Sequence, residues 1–204
     1  SDIEGGAMTK AQAAKINKVY DLAVKTGTPV VGIFDSIGGQ LKEGGDMLAA
    51  YGDILLNMNN LSGVVPLISL VLGPCIGTSA MIAEGADIVV MSDKAELTIL
   101  TNGEGGSASE AAETGTCHIY EKDEQNAVAS VRKLVALLPS NNLSGAPIID
   151  VQGTNVSAEL TNKSEVRSII AAVCDDESFV ELSEKFGVSA VTGLAEIDGS
   201  TVGI

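Results

Sequence analysis

The sequence predicts an α/β domain in which repeated strand–helix units build a parallel or mixed sheet layered with helices. Apolar runs of strand length alternate with stretches of helical periodicity. Hydrophobic residues make up 45% of the 204 positions but aromatics only 3%, with 23 Gly and no Trp, which describes an interior of Ala, Val, Ile and Leu. Two glycine-flanked junctions, Asp35-Ser36-Ile37-Gly38-Gly39 and Gly73-Pro74-Cys75-Ile76-Gly77-Thr78, each read as strand, tight turn and helix start.

Taken in order, Ile16, Val19, Tyr20, Ala23 and Val24 recur at helical spacing between Met8 and Lys25, and Gly27 stops that helix before the strand Pro29 to Phe34. Past the first junction, Met47, Leu48, Tyr51, Ile54, Leu55 and Met58 form a second helical stripe, ended by Asn59-Asn60 and followed by the strand Val64 to Leu72. A short helix, Thr78 to Glu84, leads to two β-like runs, Asp87 to Met91 and Glu96 to Leu100. Thr101 to Glu113, rich in Gly, Ser and Glu, reads as a loop. Ala127, Val128, Val131, Leu134, Val135 and Leu138 mark a further helix, stopped by Pro139. Ser144 to Ser157 reads as a linker. Asn162-Lys163-Ser164-Glu165 has the form of a capping box before Val166, Ile169, Ile170 and Val173. The acidic run Asp175-Asp176-Glu177 reads as a solvated turn. Phe179 to Leu182, Val188 to Ile197 and Ser200 to Ile204 read as strands, with a tight turn at Asp198-Gly199.

Composition narrows the partners. Twelve basic against 27 acidic residues leave a net charge of −15, which repels nucleic acid and anionic lipid at long range. Cys75, Cys117 and Cys174 form neither a C-x-x-C pair nor a Cys/His ligand cluster, so they read as reduced thiols and no metal site is expected. The longest apolar stretch, Val64 to Gly73, is interrupted by Pro66 and is too short to span a bilayer, so the expectation is a cytoplasmic protein without membrane insertion.

At both junctions, amides at a helix start face the solvent end of a strand, and glycine lets a negatively charged oxygen approach the backbone. Neither junction fits G-x-x-x-x-G-K-[ST] or G-x-G-x-x-G. The same physics serves an enolate or tetrahedral oxyanion, for which each preorganised donor supplies about 3 to 4 kcal/mol.

These residues resemble the carboxyltransferase component of biotin-dependent acyl-CoA carboxylases and decarboxylases, within the crotonase superfamily. That family's Asp-Ser-Gly-Gly-Ala-Arg and Glu-Gly are matched by Asp35 to Gln40 and Glu43-Gly44, and its Ser-Gly-Val-Ile-Pro by Ser62 to Pro66. Its Gly-Pro-Cys-Ala-Gly-Gly is matched by Gly73 to Thr78, and its Ser-Gly-Val-Ala-His by Thr114 to His118. Departures fall at Ile37, Gln40 and Thr78, and the family's Phe-Ile-Thr-Gly-Pro element is poorly kept at Ile99 to Gly103. The resemblance implies a crotonase-like repeated ββα superhelix of layered mixed sheets flanked by helices. Residues 1–150 would form an acyl-CoA-binding domain whose start is missing. Residues 151–204 would form a linker helix and the opening hairpin of a second, similar domain.

By the same resemblance, Gly38, Gly39, Gly77 and Thr78 supply oxyanion-hole amides for a coenzyme A thioester. Ser36, Ile37, Gln40, Cys75 and Ile76 line the substrate, and His118 stands near the cleft. Biotin arrives on a carrier protein or domain, and carboxyltransferase domains pair into a homo-oligomer. A chain opening almost directly on Gly5-Gly6 and closing on Thr-Val-Gly-Ile is expected to be part of a longer subunit, inactive alone. Two alternatives stand beside this. Gly77 to Met81 resembles the nucleophile turn of Clp-type serine proteases, giving a Ser79/His118 hydrolase with Asp87 or Asp150. The other is a non-catalytic assembly subunit.

Overall fold

The computed structural model describes residues 3–100, 106–148 and 165–204. Helix α1 (Lys10–Thr26) starts where the Gln12 side chain accepts the Thr9 N–H at 2.7 Å and stops at Gly27, whose φ of 62° only glycine adopts readily. Strand β1 (Val30–Ser36), helix α2 (Gly45–Leu61), strand β2 (Leu67–Ile76), helix α3 (Thr78–Glu84) and strand β3 (Ile88–Ser92) follow. Then come β4 (Glu96–Thr98), α4 (Ala108–Thr114), β5 (Ile119–Glu121) and α5 (Glu124–Leu137). After the undescribed stretch stand α6 (Val166–Val173), β6 (Val180–Leu182), β7 (Thr192–Ile197) and β8 (Ser200–Gly203).

Two sheets result. The larger is entirely parallel in the order β1-β2-β3-β5, with β4 pairing the far end of β2, and the smaller is an antiparallel β6-β7-β8 meander. Leu67 to Val71 are buried at every position, as a central strand covered on both faces requires. Helix α2 packs Ile54, Met58 and Leu61 with Leu67 on one side of the sheet. Helix α5 packs Ala127, Val131 and Leu134 onto Ile68, Leu70 and Val90 on the other. A third cluster joins Val71, Val89 and Met91 to the alanines of α3 and α4. Ile170 of α6 and Cys174 just beyond its end close a small core against Ala195.

Four expectations change. Of the loop expected over Thr101 to Glu113, residues 101–105 lie outside the described ones, but α4 begins at Ala108. Ser107 and Glu110 form a capping box, with the Glu110 N–H donating to Ser107 Oγ at 3.3 Å and the Ser107 N–H to Glu110 Oε2 at 3.2 Å. Ala108, Ala111 and Ala112 supply the buried face, a stripe too slight to stand out by hydropathy. The strand expected from Val188 starts only at Thr192. Asp175 does more than sit in a solvated turn: its carboxylate accepts the N–H groups of Asp198 (3.1 Å) and Gly199 (2.8 Å), clamping the β7–β8 turn where both residues have positive φ. Of the capping box proposed at 162–165, only Glu165 is described, and it precedes α6 without a side-chain cap. The expected linker lies largely outside the described residues; within it, Ile148 bridges to Ser200.

Candidate active site

Both junctions leave the carboxyl edge of the parallel sheet and abut. β1 and β2 pair residue for residue from Val30↔Leu67 to Phe34↔Val71, then jump to Ser36↔Cys75, so extra residues of β2 bulge between. Gly73 sits in that bulge because a Cβ there would lie 2.4 Å from Asp35 Oδ1. Gly38 adopts φ 111°, and a Cβ on it would lie 3.4 Å from the Ile76 carbonyl oxygen of the neighbouring junction. Gly39 is forced by packing: a Cβ would meet Met47 and Tyr51 of α2 at 2.8 Å.

The free amides follow from accounting for each N–H. At the first junction Ile37 donates to Gly5 O (3.1 Å), Gly38 to Ser36 Oγ (3.2 Å) and Gln40 to Met8 O (2.8 Å). Among the described residues this leaves Gly39 as the amide of 37–40 without a protein acceptor. At the second junction the Gly77 N–H donates to Thr98 O at 2.8 Å. The N–H groups of Thr78 and Ser79, in the first turn of α3, have no acceptor among the described residues. Gly38 and Gly77, expected as oxyanion donors, therefore have their amides engaged within the fold and shape the turns instead. Gly39 and Thr78 keep the expected donor capacity. Ser79 N–H, which the sequence reading passed over in favour of its hydroxyl, joins them; its place at the second helical position was the available signal.

The expected substrate-lining side chains are mostly committed elsewhere. Ser36 Oγ donates to Gly6 O at 2.8 Å, and the Gln40 amide donates to the Glu4 carboxylate. Ile37, exposed, folds over Gly5, which has no Cβ to oppose it. Cys75 is 0% exposed, and burial followed by the nearby Glu84 charge pushes its thiol up to about 12, so it is core and not lining. Ile76 contributes its carbonyl to the contact with Gly38. A largely apolar cavity of about 460 Å³ runs beside the outer edge of β1, reaching Ser36 of the first junction and Ser79 of the second, with Ile16, Tyr20 and Phe34 on its walls.

Among the described residues no hydrolytic triad is assembled. Ser79 Oγ is buried and pairs with the Tyr51 hydroxyl at 3.2 Å. Asp87 accepts the Leu67 N–H at 2.8 Å, and Asp150 lies outside the described residues. His118 lines a different cavity, of about 330 Å³, with Lys133, Glu184 and Lys185. Its Nδ1 accepts the Val89 N–H at 2.9 Å, which assigns the proton of the neutral ring to Nε2 and leaves no free basic nitrogen.

Burial also lowers the His118 pKa below its ordinary value of 6.5. Stability linked to this ring is complete above pH 6.5 and is lost as the pH falls through the lower folded-state pKa, because the unfolded chain takes a proton that the folded ring refuses. His118→Asn, whose Oδ1 can keep the Val89 bond, is expected to flatten that part of the curve. Urea midpoints measured between about pH 5 and 7.5 check it; parallel pH profiles for both proteins would refute it.

The whole chain, residues 1–204, matches the carboxyl transferase domain family. This chain belongs to the carboxyl transferase domain family. It is 32% identical to the methylmalonyl-CoA decarboxylase subunit alpha of Veillonella parvula, over 99% of this chain and 45% of that protein. It is also 32% identical to the propionyl-CoA carboxylase beta chain of Saccharopolyspora erythraea, over 98% of this chain and 43% of that one. Among solved structures, transcarboxylase 12S, described as a hexamer assembly with hydrolysed methylmalonyl-coenzyme A bound, superposes with a TM-score of 0.87 at 27% identity, covering 97% of this chain and 44% of that one. The chain thus spans under half the length of these relatives, and its fold is the crotonase-like one expected. Among its described residues, no helix is long and apolar enough to cross a membrane.

Proposed function

We propose that this chain forms the acyl-CoA side of a carboxyl transfer between biotin and an acyl-CoA, with the Gly39, Thr78 and Ser79 amides receiving the thioester oxygen as it becomes an enolate. The observation that carries this reading is the pair of abutting junctions at the carboxyl edge of a parallel sheet, which between them hold the Gly39, Thr78 and Ser79 N–H groups without an acceptor among the described residues. As the α-carbon of the thioester gains carbanion character, negative charge moves to the carbonyl oxygen. Fixed amides stabilise that charge without reorganising. Glycine at 39 brings the backbone close, and the buried Tyr51–Ser79 contact holds the second turn against α2.

Biotin on its carrier would supply or accept the carboxyl group. The described residues fit the thioester oxygen, and no step here runs through the biotin ring. Residues 1–150 would be the thioester-binding unit and 151–204 the opening of a second, in keeping with two separate sheets. The relatives named above act on methylmalonyl-CoA and propionyl-CoA by name, which favours a short acyl chain. Assembly into a homo-oligomer follows by analogy with the transcarboxylase hexamer.

Titration calorimetry of the chain with acetyl-, propionyl-, malonyl- and methylmalonyl-CoA tests the reading. Saturable binding of at least one thioester is expected. Absence of binding to all four would favour the assembly-subunit alternative.

A further inference from the structure

We propose a second anion site, for a phosphate group, at the N-terminal end of α5. β3 ends at Ser92 and β5 at Glu121, which are register partners, so both chains leave the sheet at the same carboxyl edge as the two junctions. Val90 packs against α5 while Val89 and Met91 face the opposite cluster. By strand alternation Ser92 points to the α5 side. It is 1% exposed, and among the described residues its Oγ has no hydrogen-bond partner. A buried hydroxyl in that state is uncommon in folded proteins and calls for an explanation.

Ser92 lines a cavity of about 420 Å³ together with Lys94, Lys122, Asp123, Glu124 and Gln125. The first turn of the 14-residue helix α5 opens there. Asp123 accepts the Asn126 N–H at 2.8 Å and the Asn126 side-chain amide at 2.9 Å, which occupies both carboxylate oxygens. The N–H groups of Glu124 and Gln125 remain without acceptors among the described residues. Neither Lys94 nor Lys122 has an ion pair among the described residues, in a chain whose net charge is −15. The neighbouring acids on the strand ends are engaged: Asp93 accepts the Tyr120 hydroxyl and Glu121 the Ser130 hydroxyl, each at 2.5 Å. The Asp123 and Glu124 carboxylates, which also line the cavity, keep their charge and stand against the two lysines.

Beside those two carboxylates the cavity therefore gathers donors that have no acceptor among the described residues: one buried hydroxyl, two helix-start amides and two ammonium groups. A carboxylate offers two oxygens to such a set. A phosphate offers three or four and the charge to match two lysines, and it suits a helix start. The phosphate can be free or part of coenzyme A, and the second case rests on the function proposed above. Val71 pairs with Met91, so Ser92 stands beside Leu72. Gly77 follows five residues later, just past the end of β2, at most about 17 Å away at about 3.3 Å per residue of extended chain. A ligand with phosphate at one end and a thioester at the other would lie along that edge.

The test follows the Glu124 and Gln125 amide resonances of the full chain during titration with inorganic phosphate, coenzyme A and dephospho-coenzyme A. Saturable shifts with phosphate are expected, weakened about tenfold or more in Lys94→Gln/Lys122→Gln and reduced in Ser92→Ala. A coenzyme A affinity above that for dephospho-coenzyme A, with the difference erased in the double variant, identifies the 3′-phosphate as the source. Equal affinities that both fall in the double variant point to the diphosphate, and shifts with inorganic phosphate alone point to a free anion. Unmoved amides with every probe, or shifts that the exposed double substitution leaves unchanged, overturn the site. Acyl-CoA binding measured with these amides silent would refute the site and leave the proposed function standing. Phosphate shifts without any thioester binding would do the reverse.

Discussion

On the function proposed above, replacing Thr78 by Pro is expected to slow carboxyl transfer by about a hundredfold to a thousandfold while leaving the fold in place. Proline deletes the backbone N–H and nothing else that this position uses. Thr78 is the first helical residue of α3, where a missing N–H breaks no intrahelical bond and a φ near −65° is already required. The preceding Gly77, at φ 66° and ψ −129°, lies outside the α region that proline would forbid it. Its own N–H stays bonded to Thr98 O. Thr78→Ala retains the amide and removes the side chain, so it should keep a rate close to that of the parent. Steady-state kinetics with carrier-bound biotin, beside a thermal unfolding curve, separate the outcomes. A Thr78→Pro subunit that turns over within a few-fold of the parent would remove this amide from the reaction.

The distinction between Gly77 and Thr78 marks the limit of what could be read from sequence. The junctions were legible because glycine, strand-like runs and helical stripes are local signals, and the family resemblance placed them in order. Which amides stay free is decided by the folded chain, partly by near neighbours and partly by residues far away in sequence. Thr98, on β4, takes the Gly77 N–H. Ser36 takes that of Gly38, and Met8 pairs in parallel with Gly39 across 31 positions. Setting aside Gly38 and Gly77, keeping Gly39 and Thr78 and adding Ser79 needed the hydrogen-bond pattern of the folded chain. His118 shows the same limit. Its fit to the family element was visible, but Val89, 29 residues upstream, engages Nδ1 through the β3–β5 crossover.

Secondary structure failed where side chains were small. Continuous burial made β2 legible, and Gly27 and the Asp198-Gly199 turn carried their own stop signals. Helix α4 was hidden because its buried face is alanine, which carries too little hydropathy to produce a stripe. The cavity of Ser92, Lys94 and Lys122 was hidden for a different reason. Only the parallel pairing of β3 and β5 brings Lys122 to the end of the strand that Ser92 closes.

Ile54→Ala is expected to cost about 2 to 5 kcal/mol, against about 0.5 to 1.5 kcal/mol for Ile54→Val, since Ile54 is fully enclosed and its loss opens a cavity between α2 and the sheet. For a domain with a total stability of about 5 to 15 kcal/mol, the larger change is a substantial fraction of the margin. The effect should reach the site, because α2 also places Met47 and Tyr51 against Gly39 and pairs the Tyr51 hydroxyl with Ser79. Ile170→Ala, in the separate core under the antiparallel sheet, also costs stability but touches neither junction. Denaturant midpoints give the stability losses, and acyl-CoA calorimetry at a temperature where all three variants are folded gives the coupling. Weakened thioester binding in Ile54→Ala but not in Ile170→Ala would mean that α2 holds the two turns in register. Equal binding in both would confine α2 to stability and leave the turn geometry to the glycines alone.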